Sequence, residues 1–155
     1  AILAQLFLKD PSLFAGADAE WADMWRWHAM EEIEHKGVAY DTWLHATRDW
    51  SRWRRWALKS RLMAIITVMF WYKRIKGMKL LLAQDGLTGW RVNARIAWYM
   101  LGKPGLLRRI FPQWLSFFLP GFHPWDHDDR ALIGKYDSDY ADAKMPSSVE
   151  LAKAA

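Results

Sequence analysis

The sequence predicts an all-α fold, and three observations carry that prediction. Apolar residues recur at steps of three and four through most of the chain, the rhythm of one helix face. Helix starts and stops divide the chain cleanly, with Asp18 and Ser51 as caps and Asp10-Pro11, Gln84-Asp85-Gly86 and Gly102-Lys103-Pro104-Gly105 as breaks. No segment alternates convincingly with a period of two, and neither a hairpin turn nor an internal repeat is visible.

The elements follow in order. Ala1 to Lys9 reads as a helix with Leu3, Leu6 and Phe7 on one face, ended by Asp10-Pro11. Asp18 caps a second helix, with Glu20 in its favourable first turn, and the pattern runs on to about Arg48. Gly37 is its one weak interior position and leaves room for another helix to approach. Ser51 caps a long helix reaching Gln84, basic at both ends and apolar almost all round at its centre, the mark of a buried or membrane-associated segment. Thr88 starts a short helix to about Met100. Pro104 suits the first position of a further helix that ends near Pro120-Gly121. Phe122-His123-Pro124-Trp125 is a stiff loop, and Asp126 caps a last helix over roughly 128–140. Residues 1–143 are expected to form one helical domain and 144–155 a flexible tail. The start, Ala1-Ile2-Leu3, has neither Met nor a charged leader, so the chain reads as a piece of a longer protein.

Composition narrows the chemistry. With 155 residues, 52% of them hydrophobic, the chain is long enough for a real core. It has twelve Trp and no Cys. Disulfides, thiolate metal sites and Cys nucleophiles are excluded, and any metal must be held by nitrogen and oxygen, which favours iron, manganese or zinc. Net charge is +5, yet Arg48 to Arg109 holds fifteen Lys or Arg against Asp49 and Asp85 alone. That basic, Trp-rich middle suits an anionic lipid surface or nucleic acid; the plainer reading is a solvated basic face. The longest apolar run, Leu62 to Tyr72 with Thr67 allowed, is eleven residues and too short to span a bilayer.

The chemistry-bearing cluster is His28, Glu31, Glu32 and His35. Steps of three, four and seven from His28 put all four on one helix face. The same stripe carries Trp21, Met24 and Trp25 above and Val38, Ala39 and Thr42 below, so the cluster is expected to face inward. Carboxylates and imidazoles buried there need compensation, and a divalent metal is the simplest. Glu32-Ile33-Glu34-His35 contains Glu-x-x-His, the unit that helical bundles use to hold two metals. Glu32 and His35 are then ligands, and Glu31 orients a ligating His or binds directly. His28 is a further ligand or a proton shuttle, and Glu34 a salt-bridge partner a quarter-turn away. The competing reading is an ion network between these acids and arginines of the basic middle. His28-Ala29-Met30-Glu31-Glu32 is also similar to the inverted zinc-peptidase signature but lacks its second His. His123, Asp126, His127, Asp128 and Asp129 form a second polar group, read as a helix cap and solvated neighbours, with His123 held stiffly. His45 stands alone as a surface or packing residue, and Trp21 and Trp25 read as core.

Trp25-Arg26-Trp27-His28-Ala29-Met30-Glu31-Glu32-Ile33-Glu34-His35-Lys36, followed by Val38-Ala39-Tyr40-Asp41, resembles the signature stretch of a bacterial family of predicted metal-dependent hydrolases. Pro120-Gly121-Phe122-His123-Pro124-Trp125 is similar to that family's second recurring stretch. The resemblance implies a ferritin-like helical bundle with di-metal character. It also implies a longer parent, with a first Glu, a second Glu-x-x-His and a further Glu on upstream helices. None of these is present before Asp18, so by this resemblance the chain is a C-terminal portion holding half the ligands.

The function read from the sequence is a metal-dependent enzyme, with Glu32, His35, His28 and Glu31 as metal residues and Glu31 and His28 as catalytic ones. The cofactor is a divalent metal, iron first, with manganese or zinc as alternatives. The reaction is hydrolysis through activated water, or oxidation at a di-iron centre, on a hydrophobic small molecule. A homodimer is a second route to the missing ligands. The alternative is a peripheral membrane or partner-binding module, in the cytoplasm or on the inner membrane face. Nucleic-acid binding is a weak third reading, because no recognised motif accompanies the charge.

Overall fold

The computed structural model describes residues 1–136. It is all-α, as the periodicity predicts, with no strand among the described residues. The helices are α1 (Ile2–Lys9), α2 (Ala19–Glu34), α3 (Val38–Ala46), α4 (Arg52–Gln84), α5 (Trp90–Leu101) and α6 (Leu106–Ser116), followed by a helical stretch over 130–136. The described residues form two compact units, one of Ala1–Tyr40 with 124–136, the other of Asp41–His123. The expected tail, and the last helix beyond 136, lie outside the described residues.

In the first unit, α1 lies along α2. Ala4 and Leu8 meet Ala29, Met30 and Ile33, with Phe7, Leu132, Ile133 and Tyr136 packed around them. Small residues at this seam let the two backbones approach, and Tyr136 Oη donates to the Leu8 carbonyl at 2.9 Å. Asp18 caps α2 as its sequence position requires, its carboxylate accepting from the amides of Glu20 and Trp21.

The long helix expected from Asp18 to Arg48 is broken. α2 ends at Glu34, and a turn over 35–37 separates it from α3. The Lys36 amide bonds back to Ile33, three residues away instead of four, at 3.3 Å. Gly37, buried in this turn, is a poor helix former. Lys36 gains a partner there: its Nζ donates to the His127 carbonyl at 2.5 Å and to Asp129 Oδ2 at 2.8 Å, and lies 4.2 Å from the centre of the Trp125 ring. Gln5 Nε2 donates to the other oxygen of Asp129.

Asp129, expected in solvent, is therefore buried. Its side chain is 4% exposed and that of Lys36 3%. Asp126 does not cap the last helix either; it closes a 3-10 turn, Pro124–Asp126. The Asp128 carboxylate accepts from the Arg130 amide, and the Asp129 carbonyl accepts from Leu132. The Arg130 guanidinium and amide hydrogen-bonded to Asp128 hold its carboxyl down at about 2, against an ordinary 3.8.

In the second unit, Ser51 caps α4 by accepting from the Arg54 amide, and the helix stops at Asp85, as its sequence signals predict. Its 33 residues make a rod of roughly 50 Å. One side is pinned by hydrogen bonds from Trp56 Nε1 to the Phe118 carbonyl and from Lys59 Nζ to that of Leu119, and by Trp114 Nε1 donating to Thr67 Oγ1 at 2.9 Å. Lys59 is the buried residue of α4, its ammonium near the Phe117 and Phe122 rings. α5 starts at Trp90 and not Thr88, and packs on α6, burying Val92, Ile96 and Met100 of the one and Leu106 and Ile110 of the other. α6 starts two residues beyond Pro104, because Gly105 takes the left-handed conformation (φ 71°, ψ 49°) and opens the helix itself. It ends at Ser116, short of Pro120. The apolar centre of α4 is largely exposed, contrary to a buried reading. No helix among the described residues is long and apolar enough to cross a membrane.

Replacing Lys36 by Met strands the Asp129 carboxylate, and urea denaturation is expected to show a loss of about 3–5 kcal/mol. Combining Lys36→Met with Asp129→Leu should recover most of that loss. For Asp128, whose pKa is depressed on folding, the contribution to stability is full above pH 3.8 and fades as pH falls through about 2. Arg130→Ala should move the carboxyl midpoint back up, as NMR titration of that carboxyl would read.

Candidate metal centre

The core seam sets the rotation of α2. Ala22, Ala29, Met30 and Ile33 are buried, and they lie on one face at helical spacing. Glu31 and His35 stand roughly half a turn away, His28 somewhat less, and Glu32 only about a quarter-turn away, at the flank of the seam. The expectation that the cluster points inward is thus overturned. The side chains of His28, Glu32 and His35 are 51%, 53% and 68% exposed, and Glu31 is the most covered at 36%. The apolar stripe around them is exposed too: Trp21, Met24, Trp25 and Val38 are on the surface, so Trp21 and Trp25 are not core. α2 is apolar on two sides, and the side with the small residues is the one that packs.

The cluster divides into two groups. His28 Nε2 lies 3.8 Å from Glu32 Oε1, one turn apart, and the His28 ring meets the edge of Trp25. His35 Nε2 lies 3.6 Å from Glu31 Oε2. Glu34 joins this second pair. Glu31, Glu34 and His35 offer one ligand atom each, all within 4.8 Å of one another, and among the described residues no other His and acid side chains form such a trio. Glu34 was the residue expected to point away. The signal that finds it is the same three-and-four spacing counted from Glu31 instead of His28. Two carboxylates and one imidazole are a donor set that suits a divalent metal, with coordination positions left over for water. The trio can hold such an ion.

Within the unit that holds α2, Glu31 and Glu32 lie against His35 and His28, and no described arginine of that unit joins them. Arg26 pairs with Asp23 instead, on the same helix.

The remaining histidines have other company. His123 Nε2 lies 2.8 Å from Asp41 Oδ1. His45 Nε2 is 3.3 Å from Arg48 Nη1. His127 offers its carbonyl to Lys36.

The model of a family described as predicted metal-dependent hydrolase matches residues 1–128. The chain belongs to this family. No curated protein and no solved structure matches it. In this predicted metal-dependent hydrolase, the trio sits inside the stretch Trp25 to Lys36 that carries the resemblance. The second stretch, ending at Trp125, meets the first through Lys36. Asp41 and His123, one from each stretch, form the other junction.

Because the Asp41–His123 pair is partly exposed, its coupling should be modest. A double-mutant cycle with Asp41→Asn and His123→Ala is expected to give about 0.5 kcal/mol, read by denaturation.

Proposed function

We propose that this protein is a metal-dependent hydrolase whose Glu31, Glu34 and His35 hold a divalent metal, iron first, with manganese or zinc as alternatives. The observation that carries this reading is a ligand-competent trio on the signature helix of a chain that belongs to a metal-dependent hydrolase family. Bound there, the metal supplies activated water at neutral pH and polarises the bond to be broken.

The chain's own residues have these duties. Glu31 and Glu34 bring the negative charge that attracts the cation, and His35 adds a nitrogen donor. His28, one turn earlier, accepts and returns a proton, with Glu32 beside it to steady the charged imidazole. In the Glu-x-x-His alternative, Glu32 takes the place of Glu34 as ligand. Trp21, Met24 and Trp25 border the same face and favour a hydrophobic small-molecule substrate. A ferritin-like, di-metal arrangement follows from the resemblance, with the remaining donors supplied by helices other than those described.

Metal analysis of the purified protein, followed by titration of the stripped protein with Fe(II), Mn(II) and Zn(II), tests the reading. Glu34→Ala and His35→Ala should each weaken binding by at least roughly tenfold, while Asp23→Ala on the same helix should not. A protein that holds none of the three metals and takes up none on titration would sink the proposal. If Glu32→Ala weakens binding and Glu34→Ala does not, the Glu-x-x-His set replaces the trio.

A further inference from the structure

We propose that the outward face of α4 rests on an anionic lipid surface. Trp56 and Thr67 hold the inner side of α4 against the 114–118 segment, with Lys59 reaching Leu119 from the edge of that side, and that fixes which side faces out. On the outer side Leu62, Ile65, Ile66 and Met69 follow one another at helical spacing, and all four are exposed. A contiguous apolar strip of this kind on a surface marks a docking site.

Charge identifies the occupant. The strip is bracketed along the same face by cations, with Arg55 seven residues before Leu62, Lys73 seven after Ile66 and Lys76 seven after Met69. α4 contains no acid at all, and the unit Asp41–His123 has fifteen Lys or Arg against three Asp. A second copy of the chain laid on this face, in either direction, would set cationic ends against cationic ends. A nucleic acid would put its phosphates against the apolar centre, where no Lys or Arg meets them. A bilayer with anionic headgroups satisfies both parts: acyl chains take the strip and phosphates take the flanking cations. The helix lies in the interface plane and does not cross it, in keeping with its length of apolar run.

Flotation of the full chain with vesicles tests this, independently of any metal. Vesicles of phosphatidylcholine with roughly 30% phosphatidylglycerol should carry the protein up, vesicles of phosphatidylcholine alone should not, and about 0.5 M salt should release it. The pair Lys73→Gln with Lys76→Gln should lower the partition coefficient on the order of 25-fold, at roughly fivefold per cation. Ile65→Ser with Ile66→Ser and Met69→Ser should lower it by at least that much. All these side chains are exposed, so helical circular dichroism should be unchanged, and metal uptake should be unchanged too. Equal flotation on both vesicle types, no flotation, or variants that bind like the parent would overturn the proposal. So would a dimer in sedimentation that the triple Ser variant dissolves while vesicles are ignored, since the face would then belong to a second copy.

Discussion

The packing of α2 on α1 fixes the rotation of α2 about its own axis, and the character of the candidate metal centre follows from that rotation. Ile33 is fully buried, with Ala29 and Met30 beside it, and a rigid helix cannot present two inner faces to one neighbour. Once this seam is closed, His28, Glu31 and His35 are committed to the far side and Glu32 to its flank. The cluster is therefore reachable by substrate or by another helix, and its carboxylates carry little desolvation cost while exposed. The exposed Trp residues around it are the more costly feature of that face.

Much of the fold was legible in the sequence because it rests on local chemistry. The Asp18 and Ser51 caps, and the stop at Asp85-Gly86, are settled within a few residues, and all three stand where the sequence places them. What was not legible depends on partners distant in the chain. α2 has one stripe of aromatic and one of small residues, and periodicity alone cannot rank them. α1 decides, because the small stripe admits a closer approach. Asp129 reads as solvent-facing among its polar neighbours; only Lys36 and Gln5, brought in from 93 and 124 residues away, make it a buried group. The break at 35–37 follows from the same tie, added to a glycine that a continuous helix would have tolerated. Of the candidate trio, the sequence reading names Glu31 and His35 and passes over Glu34, because it counts from His28.

The two stretches that carry the family resemblance are separated by some eighty residues, and Lys36 ties the first to the last residue of the second. Its ammonium lies over the Trp125 ring, its protons go to His127 and Asp129, and it follows His35 directly. A residue that sits next to a candidate ligand and anchors the far end of the chain couples the turn after α2 to the packing beneath it. The placement of the His35 ring is thereby tied to the core of the unit.

The trio also occupies the last turn of α2. The aligned peptide dipoles leave that end with a partial negative charge. A cation clasped by Glu31, Glu34 and His35 would be drawn by the peptide dipoles as well as by the side chains. It would also rivet the terminal coil in place, so that filling the site and tightening the helix end become a single event.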